Sequence, residues 1–142
     1  MNHQTANPKM GTLQSFILAD HVYMDVMTRK MIIAGTFDRL HAMQFPTQLS
    51  HKTFAYLRLT DFRDKHKLKI CFIDLTDESV LMGSPEIEFE NSSPNESNEL
   101  IMEVPPFPMP HPGYFEFVVF CDGNRIGRIR MELAELEERS KE

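Results

Sequence analysis

Tryptophan is absent from the 142 residues, cysteine occurs twice and glycine six times. The glycines do not gather into a phosphate-binding loop, the cysteines do not stand as a zinc-type pair, and there is no Gly-x-Ser-x-Gly elbow, so three common routes to chemistry are closed. No apolar run approaches the ~18–20 residues that span a bilayer as a helix, and Met1 to Lys9 lacks the hydrophobic segment of a secretory signal. These absences predict a cytoplasmic protein without a membrane partner. Cys71 and Cys121 are then expected as free thiols and are read as small core hydrophobes, although an oxidising compartment could join them as an inter-sheet bridge.

What remains suits one globular domain: 42% of residues are hydrophobic and 25% charged, enough apolar material for a core without disulfide or metal staples. The clearest element is a hairpin from Gly113 to Leu133. Phe115, Phe117, Val119 and Cys121 alternate with Tyr114, Glu116, Val118 and Phe120, and Asp122-Gly123 supplies the positive backbone torsions of a tight turn. Phe117 is expected in the core and Glu116 outside it. In the second arm Gly127, Ile129, Met131 and Leu133 oppose Arg128, Arg130 and Glu132, so one face is wet.

Along the chain, Met1 to Leu13 reads as a flexible tail. Strands are predicted at Ser15–Met24, Met31–Met43, Thr53–Leu59, Lys67–Asp74, Glu86–Glu90 and Glu99–Val104, and Gly35 suggests a bulge or a close backbone approach. Phe45-Pro46 to His51 and the charged stretch Asp61 to His66 read as loops. Pro105 to Pro112, with five prolines in eight residues, is expected extended but outside any strand interior. Leu133 to Glu142 is expected as a short helical turn or frayed tail. The prediction is therefore all-β: one antiparallel β-sandwich of about eight strands, immunoglobulin-like or C2-like, with a tail at 1–13, the domain at 14–133 and a charged C-terminal turn at 134–142.

The first third carries a more particular likeness. Ala19-Asp20-His21-Val22, then Lys30-Met31-Ile32-Ile33-Ala34-Gly35-Thr36-Phe37-Asp38-Arg39-Leu40, Ala42 and Phe45-Pro46 are similar to a family of short, uncharacterised bacterial proteins. These open with an Ala-Asp strand, a Gly-x-Phe-Asp strand and a Phe-Pro step before a predicted β-sandwich. The resemblance covers about residues 16–133 and implies a single-domain bacterial sandwich. It brings no activity, so no catalytic residue follows from it.

Candidate chemistry is sparse. His3, His21, His41, His51, His66 and His111 are scattered without the short spacing of a metal site on one element. Asp20 and His21 are neighbours on a strand and point to opposite faces, so they cannot meet as an acid–base pair. Asp25, Asp61, Asp64 and Asp122 fall in loops at one end of a simple sandwich, with Asp74, Asp77 and Glu78 at the other; calcium is the chemistry such loops would offer, and turn formation is the plainer reading. No catalytic residue, cofactor or metal is therefore assigned.

Charge is divided along the chain. Met1–Lys69 holds ten Lys or Arg against five acids, Ile70–Asn124 holds eleven acids and no Lys or Arg, and the remainder has five of each. Lys52, Phe54, Tyr56, Arg58, Arg63, Lys65 and Lys67 interleave bases with rings as a nucleic-acid groove would, while the net charge of −6 speaks against that partner. The expected function is a non-enzymatic module that binds another protein, or a second copy of itself, through a strand edge, the proline-rich loop or its charge-split surface. A nucleic-acid-binding domain and a calcium-dependent module are the alternatives.

Overall fold

The computed structural model describes residues 11–49 and 51–136. Among them there are twelve strands and no helix: β1 (Thr12–Met24), β2 (Met31–Thr36), β3 (Arg39–Ala42), β4 (Thr47–Leu49), β5 (Thr53–Thr60), β6 (Asp64–Asp74), β7 (Val80–Gly83), β8 (Ile87–Asn91), β9 (Asn98–Val104), β10 (Phe107–Met109), β11 (Gly113–Cys121) and β12 (Asn124–Glu135). One sheet has the order β2-β1-β5-β9 and a second runs β3-β12-β11-β6, with β8 and β7 sharing the far side of β6; β4 and β10 form a separate ribbon. Every pairing is antiparallel except that of β3 with β12.

The inner faces of both sheets feed one core. Leu18, Ala55, Leu57, Leu59, Met102 and Val104 come from the first sheet, and Leu68, Ile70, Phe72, Phe115, Phe117, Val119, Met131 and Leu133 from the second. The period of two predicted for the β11–β12 hairpin holds, and Asp122 and Gly123 take the turn at φ 52° and 85°.

Several expectations are corrected. The single strand predicted over Met31–Met43 is two strands in different sheets. Gly35 is left-handed at φ 78°, the Asp20 carboxylate lies where its Cβ would stand, and β3 then crosses to β12, where Glu132 N–H donates to Asp38 O at 3.0 Å. Pro105–Pro112 is not free of pairing. Phe107 and Met109 are buried core residues, and that apolar spacing seats Pro108 opposite Gln48 in the short ribbon, where β4 forms inside the stretch expected as a loop. The expected tail and helical turn both give way to strand at their inner ends: Thr12 and Leu13 pair with Thr60 and Leu59, and β12 continues to Glu135. Residues 1–10 and 137–142 lie outside the described residues.

Glu116 is buried, not wet. Cys71, Ile73 and Val118, with Phe120 beside them, form a second apolar cluster on the outward face of β6 and β11, and Arg128 reaches the Glu116 carboxylate at 2.6 Å. Cys71 belongs to that cluster while Cys121 belongs to the main core, so the two thiols sit on opposite faces of one sheet and are free. The charge division of the sequence is likewise mixed in space. Lys65 and Lys67 lie beside Glu90 and Glu88 in the β6–β8 register, and Arg58 pairs with Glu99.

Candidate functional site

The β1–β2 hairpin is the part of the molecule where surface chemistry is least ordinary. Its turn is built by Asp25, whose Oδ1 accepts from Met27 N–H at 2.8 Å and Thr28 N–H at 3.3 Å, while Arg29 N–H donates to Asp25 O at 2.7 Å. The turn puts Arg29 in the left-handed region at φ 64°, a position that suits glycine, asparagine or aspartate. Of ten exposed large hydrophobic residues among the described residues, five stand on this one hairpin: Tyr23, Met24, Val26, Met27 and Ile32, with Val26 83% and Met27 89% exposed.

Beside the hairpin, the outward face of the first sheet carries a polar triad. Alternation along β5 sends Ala55, Leu57 and Leu59 inward and Phe54, Tyr56 and Arg58 outward. The Tyr56 hydroxyl donates to the Glu99 carboxylate, which also accepts from Arg58 Nη2 at 3.2 Å. Tyr56 is 6% exposed despite facing outward, and burial followed by the Glu99 bond raises its pKa above the usual phenol value. A cavity of about 310 Å³ joins these groups to the hairpin, with Arg29, Lys30, Met31 and Ile33 lining it from one side and Tyr56, Arg58 and Glu99 from the other.

A second polar cluster lies at the β11–β12 turn. His66 is buried between an edge-on Phe62 ring at 5.1 Å and a stacked Phe89 ring at 5.6 Å. Its Nε2–H donates to Arg63 O at 2.7 Å, and its Nδ1 lies 2.6 Å from Asp122 Oδ2. Asp122 Oδ1 accepts from Lys67 N–H at 3.0 Å. Burial alone would raise the Asp122 carboxyl, but the His66 and Lys67 bonds outweigh it and hold it below the ordinary value. Among the described residues, His66, Cys121 and Asp122 are the one group of three metal-ligand types within reach of one another. The geometry is that of a hydrogen bond: two ligands of a tetrahedral zinc at ~2.0–2.1 Å stand roughly 3.3 Å apart, well beyond the 2.6 Å between Nδ1 and Oδ2. Burial, with the Asp122 charge beside it, pushes the Cys121 thiol up to about 12, which disfavours a thiolate nucleophile.

The structure divides the residues singled out for nucleic acid. Phe54, Tyr56 and Arg58 face outward from the first sheet; Lys65 and Lys67, opposite in phase to the buried Leu68 and Ile70, face outward from the second, with Arg63 in the turn before them and Lys52 exposed ahead of β5. The core lies between the two sets, so they do not form one groove. Four of the expected loop aspartates sit at turns: besides Asp25 and Asp122, Asp74 accepts from Thr76 N–H and Asp77 from Ser79 N–H, whereas Asp64, expected in the loop Asp61 to His66, begins β6. His21, His41 and His51 are exposed, Asp20 is exposed beside Gly35, and His3 lies outside the described residues.

The sequence reading missed the pairing of His111 with Asp74. His111 Nδ1 faces Pro112 O and Nε2 faces Asp74 Oδ2, each at 2.7 Å, so both nitrogens donate in the imidazolium form. The Pro112 carbonyl and then the Asp74 carboxylate raise the His111 pKa; Asp74, which burial would raise, is lowered by its bonds from Thr76 and His111. The raised histidine stabilises the fold fully below its ordinary value of 6.5 and loses that contribution as pH climbs through the folded value. The lowered aspartate stabilises above its ordinary 3.8 and loses that contribution as pH drops through the folded value. The cost of His111→Gln should therefore be greatest near pH 5 and shrink by pH 8.5. Because the ring is 38% exposed, screening keeps it within about 1 kcal/mol. Urea midpoints of both proteins across that range check it, and a cost that grows with pH contradicts the assignment.

A family model described as "Family of unknown function (DUF6941)" matches residues 14–134, and the chain belongs to that family. This agrees with the resemblance read from Ala19-Asp20 to Phe45-Pro46. No curated protein matches the chain. Among solved structures it is similar to Pseudomonas fluorescens alkylpurine DNA glycosylase AlkC bound to DNA containing an abasic site analog, at 12% identity and a TM-score of 0.46. That match covers 84% of this chain and 30% of the glycosylase, and a likeness so distant carries no function across.

Proposed function

We propose that the chain is a non-enzymatic protein-binding β-sandwich, immunoglobulin-like in its layering, that docks a partner through the β1–β2 hairpin in the bacterial cytoplasm. The observation that carries this reading is the concentration of exposed apolar side chains from Tyr23 to Ile32. The character of the strand supports it too. Among the described residues β2 pairs only with β1, and its sequence Met-Ile-Ile-Ala-Gly-Thr has neither charge nor proline to discourage a further strand. The opposite edge, β9, carries Glu99 and Glu103, and β3 carries Arg39 and His41. Nucleic acid is the weaker reading because its candidate bases and rings fall on two outward faces.

A photo-crosslinking amino acid in place of Val26 is expected to trap one discrete protein adduct in cells. Met27→Asp in the same chain should abolish the adduct and leave the urea midpoint unchanged, since an exposed substitution shifts stability by only about 0.5 kcal/mol. No adduct, or one that survives Met27→Asp, rules out the hairpin as the contact. An adduct of twice the chain's own mass makes the partner a second copy.

A further inference from the structure

The cavity beside the hairpin has a chemistry that partner docking at the apolar tip does not use. Three cationic side chains, Arg29, Lys30 and Arg58, line it against a single carboxylate, Glu99. That carboxylate is already engaged by the buried Tyr56 hydroxyl and by Arg58 Nη2, which anchors the Arg58 guanidinium at the cavity wall. At about 310 Å³ the space is at the small end of ligand clefts, and Met31 and Ile33 give it an apolar side.

The backbone supplies an independent indication. Arg29 occupies a left-handed position that costs a non-glycine residue conformational energy, and the surrounding turn enforces it through Asp25 N–H to Lys30 O at 2.8 Å and Arg29 N–H to Asp25 O at 2.7 Å. Glycine would make the same turn without strain. An arginine there gives the cavity a planar, multiply donating cation suited to oxyanions.

We propose that this cavity binds the oxyanion group of a small molecule, a carboxylate or a phosphate, between Arg29, Lys30 and Arg58, with the ligand's apolar part against Met31 and Ile33. The site stands on its own observations and does not depend on the hairpin's docking a protein.

The test is an amide-resolved NMR titration of the intact chain with sodium phosphate, sodium citrate and, at matched ionic strength, sodium chloride. Saturable shifts confined to residues 29–33, 56–58 and 99 are expected with phosphate, citrate or both, and the anion that saturates first assigns the ligand class. Arg29→Gly should weaken that binding by about tenfold or more while its urea midpoint stays at or above that of the parent, because glycine relieves the left-handed residue. Lys30→Gln should weaken binding without moving the midpoint. Shifts that chloride reproduces, no saturation with either oxyanion, or unchanged affinity in both variants would overturn the site. So would a lowered midpoint in Arg29→Gly, which would assign the arginine to the fold.

Discussion

Replacing Phe72 with alanine is expected to cost about 3–5 kcal/mol, the range for truncating a fully buried aromatic ring. The ring is 0% exposed and sits at the crowded centre of the core, with Phe107 at 4.5 Å, Phe117 at 4.6 Å and Phe115 at 5.2 Å between centroids. These neighbours come from two strands, one position on β10 and two on β11, so the hole cannot be filled by shifting one of them. Phe117→Ala belongs in the same range because that ring also meets Phe107 edge-on at 5.2 Å. Tyr114→Ala on the same strand should cost far less, its side chain being 53% exposed. Since small domains are stable by about 5–15 kcal/mol, the Phe72 variant should lose much of its urea resistance at 25 °C. A loss below about 1 kcal/mol would mean that the sheets do not close over this ring.

The contrast between Phe117 and Glu116 shows how far alternation carries. A period of two assigns faces correctly all along β11, which is why Phe115, Phe117, Val119 and Cys121 were identifiable as core. It says nothing about whether the other face is wet. Glu116 is buried because Val118, Cys71 and Ile73 gather there with arginines of β12 beside them, an arrangement that depends on which strands are neighbours. Phe37-Asp38 posed a similar difficulty: Met31, Ile33, Gly35 and Phe37 share one face, but Arg39 and His41 follow on that face while Leu40 and Ala42 take the other, and this change of phase, with the left-handed Gly35, marks where the chain leaves one sheet for the other. The hairpin site was legible in part. Asp25 as a loop residue and Gly35 stood out, but exposure of Val26 and Met27 and the approach of Arg29 to Tyr56 and Glu99 are tertiary facts. His66 and Asp122 are 56 residues apart, so no local spacing could join them.

That long-range pair yields the second large effect. Asp122→Ala is expected to cost about 1–3 kcal/mol at pH 7, because the buried His66 ring loses its carboxylate partner and Lys67 N–H loses an acceptor. A backbone contribution must be separated, since Asp122 is left-handed at φ 52° and alanine is strained there. Asp122→Gly removes the same side chain and relieves the strain, so a stability loss that persists in the glycine variant belongs to the carboxylate. The pH dependence gives a further check. A carboxyl whose folded pKa lies below the unfolded value stabilises the fold above the unfolded value, and that contribution disappears as pH falls through the folded one. The deficit of Asp122→Gly should therefore be complete near pH 7 and narrow as the solution is taken below about pH 4 toward pH 2, the side chain's partial exposure limiting its size. Urea unfolding of parent, alanine and glycine variants at pH 7 and at pH 3 measures all three quantities. If the glycine variant matches the parent at pH 7, the His66–Asp122 contact does not stabilise the fold, and Asp122 serves the hairpin only as a turn residue.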